Sequence, residues 1–513
     1  MLFSRFLNAR TAMAIGGALL AAALLMPHLE TPAKAGQAMP GALGINLAKP
    51  IYWSGERSFM NLASGGEWMS VRQNQGWSPF DAARLNALGN VASLQPGENA
   101  NAMLVPPEAA YGPNAVRIRC RWQGAGAVQP GGDIKNVTPG KNGFEFDWPG
   151  TADHKPKSAW ITLAETKAAD PVRQIDCREA KADEKALFSP DFVKLLSDYK
   201  VIRFLDWQGT NANPLMVSWA TRTRPETQFQ STDQGVAVEH IVALANRVGA
   251  DPWFTMLWNG DEDYVRRFAE YVRDNLDPGR KVYVELSNEV WNYVFAVTKQ
   301  AEQEGMVANL SPHRFRAMLR RYAEKTAWMM KIWSEAFAAN PDRLVRVIAT
   351  QHVSAWAVEE LLSHGETAQH VDALATAPYF GHGTFEEARA GMKDPIPLFA
   401  FLAGDVGEAI LKAMENKKLA DKYGKRYIAY EAGQHIVSHT EIGTVAALNR
   451  DPRMYDIYKN YLEAWRQQVG DLMVVFQSSG GISQYGAWGI QEYPGQPLEQ
   501  TPKRRAILEL SNR

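Results

Sequence analysis

The sequence predicts a (β/α)8 barrel with a β-rich region inserted between its first and second strands. Short apolar runs alternate with helical patterns from about residue 187 onward. Another apolar run near residue 45 brings the strand–helix units to about eight, the number that closes a barrel. The stretch between has the alternation and Gly/Pro turns of antiparallel strands. An open, doubly wound sheet is the alternative, because it shares the strand–helix alternation.

The composition is that of an ordinary globular protein, and its charge balance limits the classes of binding partner that are expected. The chain has 513 residues, of which 46% are hydrophobic and 22% are charged. Lys+Arg (55) nearly balance Asp+Glu (56), giving a net charge of -1. This balance does not favour nucleic acid or an anionic membrane as a partner. No glycine-rich phosphate loop follows a predicted strand, which disfavours a nucleotide site.

The N-terminal segment has the pattern of an export signal. Arg5 and Arg10 precede an apolar Ala/Leu-rich run, and Ala33-Lys34-Ala35 fits the small-x-small cleavage rule. We therefore predict a signal peptide over residues 1–35 and a periplasmic or secreted protein. Because the apolar run is short for a membrane span, an uncleaved anchor is the less favoured alternative.

The mature chain divides into three predicted parts. Residues 41–64 contain the first barrel strand and its loop, and residues 65–186 form the inserted β-rich region, interpreted as a small sandwich. Residues 187–513 supply the rest of the barrel. The only cysteines, Cys120 and Cys177, both lie in the inserted region. In an exported protein they are expected to form a disulfide, with two separate buried thiols as the alternative.

The barrel elements follow from apolar spacing and helix caps. Ser189 precedes a helical pattern as an N-cap, and Gly249 follows one as a C-terminal stop. A long helix has Phe315, Tyr322 and Trp333 on one face, and a last helix covers 502–510. Strands are predicted at 43–48, 200–207, 252–258, 282–288, 344–349, 371–379, 426–431 and 472–477.

Polar and aromatic side chains gather where the predicted strands end. In a barrel these ends meet at one mouth, so residues far apart in sequence converge there. Two of them are glutamates, Glu289 and Glu431, and a carboxylate is costly to bury without a role or a partner. The other candidates are Arg203, Asp206, Trp207, Trp258, Asn288, Tyr379 and His435. Glu285 is expected to point away, because alternation puts it on the opposite face from Asn288.

This set favours hydrolysis of a neutral, hydroxyl-rich substrate by paired carboxylates. The sequence lacks a nucleophile elbow with Ser-His-Asp order and lacks a His/carboxylate cluster at metal-ligand spacing, so no metal or other cofactor is expected. Asn288-Glu289 after the fourth strand and Glu431 after the seventh resemble the retaining glycoside hydrolases of clan A. The resemblance covers residues 187–495 and 41–53.

The resemblance implies a role for each matching residue. Glu289 would be the acid/base and Glu431 the nucleophile, about 5–5.5 Å apart in a retaining enzyme. Arg203 would lie beside the nucleophile with Tyr379, and Asn288 would bind the sugar 2-hydroxyl. The third strand departs from the family pattern, because Trp258-Asn259 stands where a histidine is common. No aromatic platform ends the eighth strand, but Trp488 could fold back to supply one.

Aromatic and polar side chains complete the predicted binding set. Trp207, Trp258 and Trp488 are candidates to stack on sugar rings, and Asp206 and His435 are candidate subsite groups. The expected activity is cleavage of a β-linked poly- or oligosaccharide. A transglycosylase with the same residues is one alternative. The other is a non-catalytic carbohydrate-binding or matrix protein, suggested by Trp122, Trp148 and Trp160 in the inserted region.

Overall fold

A computed structural model describes residues 41–386 and 389–511. The predicted signal segment, residues 1–35, lies outside this part of the chain. Among the residues described, no helix combines the length and the apolar character that a membrane span requires.

The first barrel strand leads into two antiparallel sheets, as predicted for the inserted region. One sheet has the strand order β3-β2-β4-β9-β6 and the other β10-β5-β8-β7. Their apolar side chains form a core of their own. The boundaries at residues 65 and 186 stay a prediction. The strands are β1 (Leu43–Asn46), β2 (Met69–Arg72), β3 (Ser78–Pro79), β4 (Glu98–Met103), β5 (Val116–Gln123), β6 (Gly126–Gly132), β7 (Lys135–Gly140), β8 (Gly143–Trp148), β9 (Ala159–Thr166) and β10 (Arg173–Glu179).

A disulfide joins Cys120 on β5 to Cys177 on β10, which confirms the predicted pair. The two residues are direct cross-strand neighbours, and both are fully buried in the core of the inserted region. The bond closes a sequence separation of 57 residues, so it restricts the unfolded chain considerably.

Replacing both Cys120 and Cys177 with alanine is expected to lower the free energy of unfolding by about 2–5 kcal/mol. Denaturant titration of the wild type and the double variant measures this difference. Reductant should destabilise the wild type and leave the double variant unchanged. Equal stability of the two proteins without reductant would show that the bond contributes nothing.

The remaining strands alternate with helices and close a parallel barrel in the order β1-β11-β12-β13-β14-β15-β16-β17. This confirms the barrel and excludes the open sheet. The strands are β11 (Val201–Arg203), β12 (Asp251–Met256), β13 (Val282–Leu286), β14 (Leu344–Ala349), β15 (Ala373–Thr376), β16 (Arg426–Ala429) and β17 (Met473–Val475). The helices are α1 (Pro190–Leu196), α2 (Val238–Val248), α3 (Glu262–Asn275), α4 (Ala296–Val307), α5 (Arg314–Ala336), α6 (Ala355–Ser363), α7 (Thr367–His370), α8 (Pro395–Lys422), α9 (Ile442–Arg450), α10 (Arg453–Gln468) and α11 (Pro502–Ser511).

The barrel strands are buried on both faces, which explains their continuous apolar runs. Inward side chains such as Val201, Trp253, Tyr283 and Val347 form the interior cluster. Outward side chains join the helices in a second and larger cluster. The predicted cap of α1 is confirmed, because the hydroxyl of Ser189 accepts from the Phe192 amide. β1 pairs with both β11 and β17, so the first strand closes the ring.

Candidate active site

The mouth of the barrel gathers the strand-end residues at one place. Arg203 is the last residue of β11, Tyr379 follows β15, and Glu431 follows β16. Asn288 and Glu289 come two and three residues after the end of β13, the fourth barrel strand. Because parallel strands of a closed barrel present their carboxyl ends together, these side chains can share a pocket.

Arg203 is fully buried and connects the polar groups of the site. Its Nη1 donates to Oε1 of Glu431 at 2.9 Å and to Oδ1 of Asn46 at 3.2 Å. Its Nη2 donates to Oδ1 of Asn288 at 2.9 Å. Asn46 in turn donates to the backbone carbonyl of Tyr430 at 3.0 Å. A buried guanidinium presents several donors in a fixed plane, so this arrangement fixes Glu431 and Asn288 relative to each other.

Glu285 also binds Arg203, and the expectation that it points away from the site was wrong. Its Oε2 accepts from Nε of Arg203 at 3.1 Å, from Nη2 at 2.9 Å, and from the Trp253 indole at 2.9 Å. Its Oε1 is buried without a hydrogen-bond partner. Arg203 therefore lies between two acids, Glu285 in the barrel interior and Glu431 at the mouth.

The error over Glu285 arose from carrying strand alternation past the end of the strand. β13 ends at Leu286, and Ser287 and Glu289 have φ of 59° and 41°. Non-glycine residues in this left-handed region are strained, and such strain occurs often at functional sites. The chain turns there, so Asn288 does not continue the alternation of the strand.

Glu431 accepts a hydrogen bond at each carboxylate oxygen. Besides the bond from Arg203, its Oε2 accepts from the Tyr379 hydroxyl at 3.0 Å. Burial raises the pKa of Glu431, the charge of Arg203 opposes this rise, and the charge of Glu289 adds to it. Since the charge of one carboxylate affects the other, the two acids lie within electrostatic range.

Glu289 also accepts two hydrogen bonds, but only from neutral donors. The Tyr430 hydroxyl donates to its Oε1 at 2.8 Å, and Nδ2 of Asn292 donates to its Oε2 at 2.8 Å. Burial raises the pKa of Glu289, and these hydrogen bonds and the more distant charge of Arg203 oppose the rise only in part. Of two coupled acids, the one without a guanidinium partner keeps a proton more readily. By this argument the contacts favour a proton on Glu289 over one on Glu431.

An aromatic rim lies beside the two acids. Trp488 packs on Tyr379 and His435 with ring centroids 5.7 and 4.8 Å apart, and its indole donates to the Tyr485 carbonyl at 2.7 Å. His435 also stacks on His382 at 3.7 Å. Burial lowers the pKa of His435 to about 4, so this imidazole is neutral at pH 7. The loop after β17 thus places Trp488 against Tyr379, whose hydroxyl bonds to Glu431.

Two of the predicted sugar-stacking tryptophans lie in the hydrophobic core instead. Trp207 is fully buried and stacks between Phe59 and Phe192, at 5.4 and 6.0 Å. Trp258 is 1% exposed, and its indole donates to Glu304 at 3.1 Å. A ring without an exposed face offers no surface to a sugar, so neither residue is retained in the proposed site.

Asp206 remains a candidate subsite group. It is half-buried, and burial raises its pKa to about 6 against the opposing charges of Lys49 and Arg203.

In the described residues, no group of three or more His, Cys, Asp or Glu side chains is arranged to hold a metal ion.

Several site residues were not predicted from the sequence. Asn46, Glu285 and Tyr430 lie at or next to a strand end, whereas Asn211 and Asn292 lie in the loops after β11 and β13. Each of the five bonds one of the predicted residues. Asn46 and Tyr430 end apolar runs, which was the available signal. No sequence signal distinguished Asn211, whose Oδ1 accepts from Nδ2 of Asn288 at 3.1 Å.

No family model matches the chain, and no curated protein matches it. Among solved structures, the chain is similar to a GH51 arabinofuranosidase from Xanthomonas axonopodis pv. citri, at 11% identity and TM-score 0.42, over 65% of this chain and 68% of that one. It is also similar to a 4-O-alpha-L-rhamnosyl-beta-D-glucuronidase from Fusarium oxysporum 12S, at 11% identity and TM-score 0.41, over 63% and 64% of the chains.

A third similar structure is a beta-glucosidase from Thermotoga maritima in complex with cyclophellitol, at 14% identity and TM-score 0.34, over 62% and 84% of the chains. Because these TM-scores are below 0.5, the case for function rests on the arrangement of the site residues. The sequence of this chain resembles clan A glycoside hydrolases, and the chain shares their closed (β/α)8 barrel. In this chain Glu289 follows the fourth barrel strand and Glu431 follows the seventh.

Proposed function

We propose that the protein is an exported retaining glycoside hydrolase that cleaves a β-linked poly- or oligosaccharide. One observation carries the proposal. Two acids, the partly buried Glu289 and the buried Glu431, follow the fourth and seventh barrel strands, and of the two only Glu431 has a guanidinium partner. That asymmetry suits one protonated and one ionised carboxyl group, which is what double displacement needs.

In the first step, the Glu431 carboxylate attacks the anomeric carbon while Glu289 gives its proton to the departing glycosidic oxygen. This breaks the glycosidic bond and leaves a glycosyl ester on Glu431. In the second step, Glu289 takes a proton from water, the water oxygen attacks the anomeric carbon, and the ester bond breaks. Two inversions give net retention, for which we expect the two carboxyl groups about 5–5.5 Å apart.

The neighbouring residues support these steps. Arg203 and Tyr379 hold both oxygens of Glu431 and stabilise its charge before attack. Asn288 is held by Arg203 and Asn211, and its second amide hydrogen can bind the sugar 2-hydroxyl. Export is supported by the signal-like pattern of residues 1–35 and by the disulfide.

The direct test is a panel of β-linked glycans and 4-nitrophenyl β-glycosides, with the first-formed product examined by NMR. We expect hydrolysis of at least one substrate and a β-configured initial product. An α-configured initial product would contradict the retaining mechanism. Binding of glycans without turnover of any would favour a carbohydrate-binding protein instead.

Glu289→Ala is expected to lower kcat/KM on the glycan by about 10²–10⁴-fold, the usual contribution of a general acid. The loss should be smaller on an aryl glycoside whose leaving group needs no proton. In the wild type, activity should fall as the pH rises through the raised pKa of Glu289, because the acid then loses its proton. Rate profiles from pH 4 to 9 check this. If the alkaline limb persists in the variant, another group supplies the proton.

A further inference from the structure

A cleft lies between the inserted region and the loop that follows β17. Its volume is about 860 Å³, which is within the range of small-molecule sites. The first-strand loop supplies Trp53, the inserted region supplies Tyr111 and His154, and the loop after β17 supplies Ile482 and Tyr493. None of the residues assigned to the candidate active site lines this cleft.

One wall of the cleft is a column of three stacked rings. Tyr493 lies between Tyr111 and His154, with centroid distances of 5.4 and 4.8 Å and interplanar angles of 9° and 14°. Tyr111 donates its hydroxyl to the Gly55 carbonyl, and a ring nitrogen of His154 lies 2.6 Å from the Tyr111 carbonyl. The Tyr493 hydroxyl is buried and has no partner in the protein. A buried hydroxyl without a partner is unfavourable, and a small movement of its neighbours would let a ligand hydroxyl or a water in the cleft bond to it.

The rest of the lining favours a neutral, hydroxyl-rich ligand. Trp53 is 65% exposed, and an exposed indole beside polar groups suits the apolar face of a sugar ring. Charges of both signs line the cleft, including the ion pair of Arg450 with Glu492 at 2.6 Å and the side chains of Asp153 and Lys155. With Glu499, the lining has three acids and two bases, so it provides hydrogen-bond donors and acceptors and does not select an anion.

The cleft and the active site share one loop. The Gln477 amide donates to the Trp488 carbonyl at 3.0 Å, and the Ile490 amide donates back to the Gln477 carbonyl at 2.8 Å. Trp488 faces Tyr379 at the active site, whereas Tyr493 lines the cleft. At about 3.5 Å per residue, the chain between Trp488 and Tyr493 spans at most ~18 Å. This separation is short enough for one oligosaccharide to span.

We propose that this cleft is a distal binding site for the glycan substrate. A neutral oligosaccharide would stack on Trp53 and hydrogen-bond to Tyr493, while another part of the same chain lies at Glu289 and Glu431. The inserted region then takes part in substrate recognition. This inference rests on the proposed function, and it predicts that the enzyme prefers long glycan chains to short ones.

The test compares long and short substrates in Trp53→Ala and Tyr493→Phe. With cello-, manno-, xylo- and laminarihexaose as probes, kcat/KM for the cleaved chain should fall about 5- to 10-fold through KM, as expected for one aromatic contact. Turnover of a 4-nitrophenyl β-glycoside should stay within about twofold, because it does not reach the cleft. Trp77→Ala is the matched control, since Trp77 is an exposed indole, 38% exposed, outside the cleft.

Unchanged activity on the hexasaccharides, or equal loss on long and short substrates, would overturn the proposal. If the wild type hydrolyses no glycan, the proposed function fails, and calorimetry with the same hexasaccharides then tests the cleft by itself. Binding that is lost in Trp53→Ala but kept in Trp77→Ala would support a glycan site. Binding that Trp53→Ala leaves unchanged, or no binding to the wild type, would exclude it.

Discussion

Glu431→Ala is expected to lower kcat/KM by about 10⁴-fold or more, the scale seen when a nucleophile is removed. The physical reason is that Glu431 is the strand-end acid that the Arg203 guanidinium and the Tyr379 hydroxyl hold together at the mouth. Assays on the cleaved glycan and on an aryl β-glycoside measure the loss. The effect should be as large on the aryl glycoside, because a good leaving group does not replace the nucleophile.

A small anion offers a sharper test of the same position. Azide can occupy the space left by the carboxylate and attack the anomeric carbon as the aryloxide departs, forming an α-glycosyl azide in one inversion. Glu289→Ala is the matched control, since Glu431 still acts there and azide should give the β-product. Full activity of Glu431→Ala, or a β-azide from it, would contradict the assigned role. Glu431→Gln, which keeps the size of the side chain, separates loss of charge from loss of packing.

Arg203→Met is expected to lower the free energy of unfolding by about 3–5 kcal/mol, the cost of removing one partner from a buried ion pair. Glu285 and Glu431 would both lose their guanidinium, and the side chain of Glu285 has no exposure to water. Their folded-state pKa values should then rise further above the unfolded value. The folded variant would bind more protons than the unfolded chain, so its stability should fall as the pH rises. Denaturant titrations at pH 5 and pH 8 should show the larger deficit at pH 8.

Glu285→Gln provides the internal control for this prediction. In the Arg203→Met background, Glu285→Gln removes a buried acid that has lost its guanidinium partner. It should therefore raise the free energy of unfolding of that variant by at least about 1 kcal/mol at pH 8. In the wild-type background, Glu285→Gln should destabilise the protein. A double-mutant cycle gives the coupling between the two residues. Additive effects, or a variant Arg203→Met as stable as the wild type, would show that Arg203 does not hold these acids in the folded state.

The sequence predicted the barrel because its strands are buried on both faces and its helices on one, and both patterns depend on the chain alone. Ser189 is an example, since it caps α1 through a bond to Phe192, three residues away. The disulfide was also predictable, because Cys120 and Cys177 are the only cysteines. Helix α8 was not predicted, and its two prolines in the first turn and its two glycines, Gly404 and Gly407, weaken the helical pattern.

Within the site, the sequence predicted which residues stand near the strand ends, but it did not predict where their side chains point. Strand ends were placed within a few residues, so Glu289, Glu431, Arg203 and Tyr379 were all identified as candidates. Where a chain turns after a strand, the side-chain direction depends on local dihedrals that composition does not determine. Trp207 lies four residues beyond the end of β11 and Trp258 two beyond the end of β12, and both rings turn into the core.

The contact of Glu285 with Arg203 has a consequence for engineering this barrel. A redesign for heat resistance would favour hydrocarbon side chains throughout the barrel interior, and position 285 would be among the first replaced. Leucine there would remove the acceptor of the Trp253 indole and leave the guanidinium with Glu431 as its sole counter-ion among the acids it now contacts. Arg203 would then hold Glu431 more strongly as an anion. An anion held too tightly is a poorer attacking group. Replacing Glu285 with a hydrocarbon should therefore lower both stability and turnover, so a heat-resistant redesign should keep this acid.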